Sequence, residues 1–233
     1  MEDRKVAVVT GASRGLGAAF ARVLAEEGYA VALGARDREG IERLASELPA
    51  PSLACPLDVA DAAGVAAFRD AVLGRFGRVD ALVNNAGIGI FKRLEDFSAE
   101  EFARTFQVNV QGVWAVTTAF LPRLRDSNGL VVMVSSDVST RTFPNGGAYT
   151  ASKFALRALA RTFQQENPGL RVLELRPGAV DTHFAGSTPG APGKEWFLRP
   201  ETVAETLRFA LRLPPEARLE EIVVRGRSQP PEY

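Results

Sequence analysis

The stretch VVTGASRGLG, residues 8–17, places Gly11, Gly15 and Gly17 between an apolar β-branched run and a helical pattern. Glycine allows a tight turn and lets the backbone approach a ligand without a side chain in the way. The N-terminus of the helix that follows offers amide groups and the positive end of its dipole. The turn is either an ordinary strand-to-helix connection or a pyrophosphate-binding site, and its place at the first strand favours the second.

The same alternation of short apolar runs and amphipathic segments continues to the end of the chain. It is typical of parallel strands joined by helical crossovers. We predict a single α/β domain over residues 1–233, a Rossmann-type doubly wound fold with a seven-stranded parallel sheet and about six flanking helices. One long helix is expected from Ser98 to about Arg125, beginning with a capping box of Ser98 and Glu101.

The composition restricts the partners of the chain. Lys and Arg total 28, as do Asp and Glu, so the formal net charge is zero. That balance argues against a nucleic-acid or membrane-surface partner. The sequence has no signal-peptide pattern and no stretch of about 18 apolar residues, so a cytoplasmic location is expected. Cys55 and His183 are the single cysteine and the single histidine, so we expect no metal site and a loop or structural role for His183.

The end of the second predicted strand bears on which dinucleotide binds. Dinucleotide sites commonly carry an acidic residue about 20 residues after the glycine turn, on the ribose 2′-hydroxyl. Here the strand ends in Ala35 and Arg36, followed by Asp37. An arginine at this point suits a 2′-phosphate, which Arg14 in the glycine turn could also bind. NADP is therefore predicted over NAD; alternatively, both arginines are solvated surface charges, or Asp37 serves the ribose.

Tyr149 and Lys153 stand four residues apart at the start of a predicted helix that runs to about Glu166. Residues at this spacing lie on one face of a helix. A phenol has a pKa of about 10, and a nearby cation lowers that pKa toward neutral pH. The pair could thus form a tuned acid–base group. Taken alone, the spacing is common by chance and fits an ordinary structural role.

Further motifs occur in a fixed order around this pair. The glycine turn is followed by NNAG at residues 84–87, Asn109 in VNVQG, Ser136 thirteen residues before Tyr149, and RPGAVDT at residues 176–182. This set resembles the short-chain dehydrogenase/reductase family, and the resemblance covers essentially the whole chain. It implies a hydride transfer between NADP(H) and a carbonyl or alcohol substrate.

The resemblance implies a catalytic tetrad of Asn109, Ser136, Tyr149 and Lys153. Tyr149 would donate the proton in carbonyl reduction and accept it in alcohol oxidation. Lys153 would lower the pKa of Tyr149 and bind the nicotinamide ribose, while Ser136, rather than Ser135, would hold the substrate oxygen. Asn109 would hold a water that links Lys153 to solvent; the alternative is a helix kink in which its side chain bonds a backbone carbonyl.

The resemblance also implies which residues bind the dinucleotide. Asp58 would bind the adenine, although it could instead cap the next helix, as could Asp61. The NNAG segment is expected to contact the adenosine ribose and to hold the central sheet together. The full set of predicted cofactor contacts is Gly11, Ser13, Arg14, Gly15, Leu16, Gly17, Arg36, Asp58, Val59, Asn85, Ala86, Gly87, Tyr149, Lys153, Pro177, Gly178, Val180 and Thr182.

A Gly- and Pro-rich segment, residues 183–199, is the expected substrate-binding loop, with help from residues 137–145 and 88–97. Phe184, Trp196 and Phe197 either line an apolar pocket or pack the loop on its own body. Kinship of fold does not name a substrate, so ketones, hydrophobic aldehydes and acyl chains all stay open.

Two other classes of protein are compatible with the scaffold. One is an NADP-binding regulatory or sensing protein without turnover, which would need no acid–base set. The other is a nucleotide-sugar or epimerase-type relative, for which the C-terminal part leaves little room. The family's usual assembly, through helices around residues 100–125 and 149–166, implies a homodimer or homotetramer. The tail RSQPPEY, residues 227–233, is expected to be disordered or docked on a neighbour.

Overall fold

Seven parallel strands form one continuous sheet in the computed structural model, which describes residues 4–230. The strands are Val6–Thr10 (β1), Ala30–Ala35 (β2), Ser52–Pro56 (β3), Ala81–Asn84 (β4), Leu130–Val134 (β5), Arg171–Pro177 (β6) and Glu221–Val224 (β7). Their order across the sheet is β3-β2-β1-β4-β5-β6-β7. The winding therefore reverses between β1 and β4, the kind of point at which open α/β sheets bind ligands.

Helices cover both faces of the sheet. They are Gly15–Glu26 (α1), Arg38–Glu47 (α2), Ala62–Phe76 (α3), Ala99–Phe106 (α4), Val113–Asp126 (α5), Gly147–Glu166 (α6) and Pro200–Arg212 (α7). α1, α2 and α7 bury one apolar face around Phe20 and Leu24, while α3, α5 and α6 bury the other around Phe68 and Phe120. The predicted doubly wound α/β fold is confirmed.

The central strands are apolar on both faces because helices lie on both sides of them. Every residue of β1, β2, β4 and β5 is buried, which is why their sequences read as continuous apolar runs rather than as an alternation. Polar side chains occur where these strands end, at Thr10, Asn84 and Ser135. The carboxyl edge of the sheet therefore carries the groups that can do chemistry.

The long helix predicted from Ser98 to about Arg125 is not uniform. Ser98 and Glu101 form the expected capping box at its start. A π-helical segment, Gln107–Gly112, separates α4 from α5, and this departs from the prediction of one uninterrupted α-helix. The widened turn contains Asn109, whose polar side chain bonds to a neighbouring loop instead of to solvent.

A buried ionic network lies at the β6–β7 side of the sheet. Glu174 in β6 is 3% exposed, and its carboxylate accepts 2.9 Å hydrogen bonds from Arg157 and from the hydroxyl of Ser139. Arg157 also pairs with Glu221 of β7 at 2.8 Å, and Glu221 pairs with Arg176 of β6. Buried charges are tolerated when they are paired and hydrogen-bonded. The network therefore ties β6, β7 and α6 to the turn that follows β5.

Two structural absences hold for residues 4–230. No helix there has both the length and the apolar composition needed to cross a bilayer. Within the same range, His, Cys, Asp and Glu side chains form no group of three or more that could hold a metal ion. Three residues of the predicted tail, 231–233, lie outside the described part of the chain.

Candidate active site

A cleft of about 1040 Å³ opens at the carboxyl ends of the strands. Every predicted site residue except Gly17 and Asn109 lines it. Those that do are Gly11, Ser13, Arg14, Gly15, Leu16, Arg36, Asp58, Val59, Asn85, Ala86, Gly87, Ser136, Tyr149, Lys153, Pro177, Gly178, Val180 and Thr182. Residues from six of the seven strand ends are thus brought to one place by the fold.

The glycine turn has the backbone geometry of an anion site. Gly11 and Gly15 have φ angles of +65° and +56°, which a residue with a side chain rarely adopts. Arg14, the N-cap residue of α1, is exposed and makes no capping hydrogen bond with its side chain, and the first turn of α1 carries no acidic residue. The amides at the start of α1 are therefore available to an anion.

Gly17 and the NNAG segment support the turn from behind. A Cβ at Gly17 would lie 2.1 Å from the Gly11 carbonyl oxygen, so only glycine allows α1 to pack this closely. Asn85 donates from its side chain to the carbonyls of Thr10 and Gly11 at 3.0 and 3.1 Å. The Thr10 hydroxyl accepts 3.0 Å bonds from the amides of Asn85 and Ala86. The NNAG segment thus holds the glycine turn on the sheet, as its expected structural role requires.

Arg36 and Asp37, the two residues after β2, make different contacts. Asp37 caps α2, because its carboxylate accepts a 3.0 Å bond from the amide of Gly40. Arg36 is exposed and lines the cleft. Both residues line the cleft, and the Asp37 carboxylate is in addition engaged by its own helix.

Asp58 is held by two donors at the same end of the cleft. Its carboxylate accepts a 2.8 Å bond from Arg104 and a 3.0 Å bond from the amide of Ala60. Burial raises the pKa of this carboxyl, but these bonds and the charges of Arg104 and Arg36 outweigh it, so the pKa lies below its usual value. Asp61, rather than Asp58, caps α3. Asp58 therefore stays ionised in the wall of the cleft.

Tyr149 and Lys153 lie on one face of α6, as predicted, with the Lys153 ammonium 5.6 Å from the centre of the Tyr149 ring. Burial lowers the pKa of Lys153 to about 8. The pKa of Tyr149 is raised to about 12, mainly by burial; a hydrogen bond with Ser136 lowers it, and the Asp137 carboxylate raises it. In this structure the Lys153 ammonium donates to the carbonyl of Val134, and the expected lowering of the Tyr149 pKa by Lys153 stays a prediction.

Ser136 stands just after β5, at the start of a short 3₁₀ turn. Its hydroxyl accepts a 3.3 Å bond from the amide of Val138 and lies 3.3 Å from a carboxylate oxygen of Asp137. The hydrogen bond with Tyr149 places the two hydroxyls side by side. Ser136 is therefore the serine that accompanies the tyrosine, as the spacing predicted.

Asn109 acts as a buried brace between two parts of the site. Its carboxamide exchanges two bonds with the backbone of Ile88, of 2.8 and 2.9 Å, and donates to the hydroxyl of Ser152 at 3.0 Å. Ser152 in turn donates to the Tyr149 carbonyl at 2.7 Å. This is the alternative considered for Asn109, a kinked helix with its side chain on backbone groups. The water-holding role stays a prediction.

The loop of residues 183–199 is closed at its base. A parallel bridge joins Val180 to Leu198, and the amides of Asp181 and Leu198 donate to Leu198 and Ala179 carbonyls at 2.8 and 2.9 Å. Thr182 lies against the glycine turn, since a Cβ at Gly15 would be 3.2 Å from its methyl group. The exposed His183 lines the cleft next to it.

Aromatic side chains surround Tyr149 at the mouth of the cleft. Phe91 and Phe184 have ring centres 5.5 and 5.6 Å from that of Tyr149, and Phe143 lies 5.7 Å from Phe91. For Phe184 the sequence left open whether it lines a pocket or packs the loop, and in the structure it lines the cleft. Phe91 and Phe143 lie within residues 88–97 and 137–145, the two segments expected to assist the substrate-binding loop. The sequence alone did not indicate which residues of these segments would face the tyrosine.

Asp137, Arg141 and Gln229 also line the cleft. Asp137 and Arg141 lie in the segment 137–145 that was expected to help the substrate-binding loop, although neither was given a role of its own, and Gln229 was not assigned to the site. The sequence could have indicated Asp137 as a site residue, because it follows Ser136 directly. Gln229 lies 80 residues beyond Tyr149 and had no such indication in the sequence.

The fold and the cleft define a dinucleotide-binding α/β protein with a paired serine and tyrosine. The sequence profile of the short chain dehydrogenase family matches residues 5–191. The chain therefore belongs to the short-chain dehydrogenase family and is an oxidoreductase.

Solved structures of similar proteins contain nicotinamide dinucleotides. An alcohol dehydrogenase from the archaeon Thermococcus sibiricus, complexed with 5-hydroxy-NADP, is 51% identical with a TM-score of 0.96, over 99% of this chain and 100% of that one. A metagenomic short-chain oxidoreductase in complex with NADP is 31% identical with a TM-score of 0.83, over 95% and 96%. A 3-ketoacyl-(acyl-carrier-protein) reductase from Brucella melitensis, complexed with NADH, is 32% identical with a TM-score of 0.86, over 96% and 97%.

Curated relatives are also reductases or oxidoreductases by name. A glycine betaine reductase of Emericella nidulans is 37% identical over 240 residues, which cover 97% of this chain but 19% of that protein. The chain thus spans about a fifth of the length of this relative. An uncharacterized oxidoreductase of Staphylococcus epidermidis is 30% identical over 224 residues, 95% of this chain and 96% of the relative.

Proposed function

We propose that this chain is an NADP-preferring reductase or dehydrogenase that acts on a carbonyl or alcohol substrate. The observation that carries the proposal is the convergence, in one cleft, of an anion-binding turn, exposed arginines and the set Ser136, Tyr149 and Lys153. A protein that merely binds the dinucleotide has no need of the acid–base set.

The cleft fits a nicotinamide dinucleotide. The glycine turn and the start of α1 would hold the pyrophosphate, and Asp58 would accept from the adenine amino group. Arg14 and Arg36 would pair with a 2′-phosphate, while Asp37, the acidic alternative, already caps α2. At the other end, residues 177–182 would hold the nicotinamide. When bound, the dinucleotide supplies the hydride in reduction and accepts it in oxidation.

The residues of the chain would handle the proton. Tyr149, whose pKa is raised to about 12, keeps its proton at neutral pH and can donate it to a substrate oxygen. Ser136, bonded to Tyr149, would donate to the same oxygen as negative charge develops on it. Lys153, with a pKa of about 8, carries positive charge at neutral pH and would stabilise the phenolate that is left.

The aromatic surround of Tyr149 supports a substrate with an apolar or aromatic group beside the carbonyl. Phe91 is 47% and Phe184 37% exposed, so both present ring surface to whatever approaches the phenol.

The test is cofactor consumption by the purified protein, with NADPH and NADH in parallel and a panel of ketones, aldehydes, diketones and 3-oxoacyl esters. We expect oxidation of NADPH that falls by about 10²-fold or more in Tyr149→Phe, the typical contribution of a general acid. Affinity for NADPH, measured by fluorescence titration, stays nearly unchanged in that variant. Turnover that survives the substitution would refute the assignment of Tyr149.

A homodimer or homotetramer is part of the same proposal. Large apolar side chains are exposed on the helices expected to assemble, with Phe102 at 40%, Trp114 at 51% and Phe154 at 43%. Light scattering on the wild type and on Trp114→Lys tests this, since a charge at the centre of such a contact would dissociate the assembly.

A further inference from the structure

Three hydrogen bonds and an ion pair converge on the carboxylate of Asp137, the residue after Ser136. Its Oδ1 accepts from the Ser136 hydroxyl at 3.3 Å. Its Oδ2 accepts from Arg141 at 2.6 Å and from the side-chain amide of Gln229 at 3.1 Å, and it forms an ion pair with Arg225 at 3.2 Å. Asp137 is 6% exposed, so protein groups rather than bulk water fix its orientation. The Ser136 hydroxyl thus donates to a carboxylate whose orientation depends on residues that are distant in the sequence.

Gln229 also contacts the opposite wall of the cleft. Its Oε1 accepts a 3.4 Å bond from the amide of Ala179. A Cβ at Gly178 would lie 2.2 Å from the same oxygen, so the contact exists because Gly178 has no side chain. One carboxamide therefore joins the residue next to Ser136 to the loop predicted to hold the nicotinamide.

The segment that carries Gln229 is anchored on both sides. The amide of Gly178 donates to the carbonyl of Val224 at 2.8 Å, and the amide of Gln229 donates to that of Gly226 at 3.0 Å. A Cβ at Gly226 would lie 2.1 Å from the carbonyl oxygen of Trp196, in the loop of residues 183–199. Residues 225–230, here called the C-terminal clasp, thus follow β7 directly and pack against that loop.

We propose that Gln229, one residue of the C-terminal clasp, is a positioning residue of the active site, which holds Asp137, and through it the Ser136 hydroxyl, in register with Gly178 and Ala179. The inference rests on the proposed function, because Ser136 acts on a substrate oxygen in that reaction. Gln229 acts through Asp137 rather than on the reacting atoms. Its loss therefore affects the chemical step more than the binding of the dinucleotide.

Three variants separate positioning from space filling. Gln229→Met fills the same volume without a donor or an acceptor. Gln229→Glu keeps the acceptor for Ala179 but turns a second acceptor toward Asp137. Ser228→Ala changes the exposed neighbour and serves as the control. We expect kcat to fall about tenfold in both Gln229 variants, the value of one hydrogen bond to a charged group, while the Kd for the dinucleotide stays within about twofold. Wild-type kcat in Gln229→Met would overturn the proposal.

A double-mutant cycle with Ser136→Ala tests the route of the effect. If Gln229 acts by placing the Ser136 hydroxyl, Gln229→Met has little further effect on the residual kcat of Ser136→Ala. A further fall of the same size in that background would mean that Gln229 acts elsewhere, and would overturn the assignment.

Amide hydrogen exchange decides the question without turnover. The amide of Ala179 bonds to Gln229, and the amide of Val138 bonds to the Ser136 hydroxyl. We expect both amides to exchange faster in Gln229→Met than in Ser228→Ala. Equal exchange rates in the two variants would overturn the proposed role of Gln229. If the wild type reduces no carbonyl, the proposed function fails, and exchange at Val138 still reports whether Gln229 holds Ser136 in place.

Discussion

The Lys153 ammonium donates a 2.9 Å hydrogen bond to the carbonyl of Val134, the last residue of β5. The side chain is thereby drawn to the edge of the sheet, next to the turn that carries Ser136. Because it is buried, its pKa falls from 10.5 to about 8. Burying this cation in the cleft therefore lowers the stability of the folded chain.

This cost predicts a pH dependence. Between about pH 8 and 10.5 the unfolded chain holds a proton on Lys153 that the folded chain has lost, so the free energy of unfolding rises with pH in that window. The rise is on the order of 3 kcal/mol over the whole window. Thermal melts at pH 7 to 10 check this, since Lys153→Met should lack the rise and the exposed Lys5→Met should keep it. Parallel curves for the wild type and Lys153→Met would contradict the prediction.

We expect Arg36 to determine the choice between the two dinucleotides. Arg36→Ala is expected to weaken NADPH by about 10-fold or more, because a charge-assisted bond to the 2′-phosphate is lost, and to change NADH within about twofold. Arg38→Ala is the matched control, since Arg38 is an exposed arginine in α2 paired with Glu42. Fluorescence titrations give both constants, and equal weakening of the two dinucleotides would exclude this role.

We expect Phe184 to discriminate between substrates by their apolar surface. Phe184→Ala is expected to raise KM for an aryl ketone by about tenfold, since a buried ring face is lost, and to change KM for a short aliphatic aldehyde much less. Phe209→Ala, at a ring that is 54% exposed on α7, is the control. Steady-state kinetics with both substrates decide the matter, and a uniform effect would mean that Phe184 merely packs the loop.

Substitution by alanine is expected to change stability in opposite directions at two helical glycines. Gly17→Ala forces a Cβ to within 2.1 Å of the Gly11 carbonyl, so we expect a loss of stability of about 3 kcal/mol. Gly74→Ala, in α3, meets no atom within 4 Å and should stabilise by about 1 kcal/mol through its better helix propensity. Denaturant unfolding of both variants measures this. A Gly17→Ala protein as stable as the wild type would refute the packing argument.

Local patterns sufficed for the fold and for much of the cleft. Strand β1, its glycine turn and α1 could be read from residues 5–28 because turn geometry and burial are encoded there. The order of the motifs along the chain indicated that the strand ends lie together, and most of the predicted residues do line one cleft.

Interactions over long sequence distances could not be read in the same way. Glu174 and Arg176 sit in a strand that reads as ordinary, and their burial depends on Arg157 and Glu221 from other elements. The π-helical turn at Asn109 depends on the backbone of Ile88. Electrostatics was also out of reach, because the direction of the Tyr149 pKa shift follows from burial and from Asp137, which the spacing of Tyr149 and Lys153 does not encode.

The ionic network between β6, β7 and α6 bears on how the active site responds to heat. Charged groups lose hydration free energy as temperature rises, so the penalty for burying Glu174 and Arg176 shrinks in hot solution. The same side chains support the Ser136 turn, with Ser139 bonded to Glu174 and the carbonyl of Asp137 accepting from Arg176 at 3.3 Å. The catalytic edge of this sheet is therefore held by contacts whose burial penalty falls on warming, and loss of activity on heating is expected to begin elsewhere in the chain.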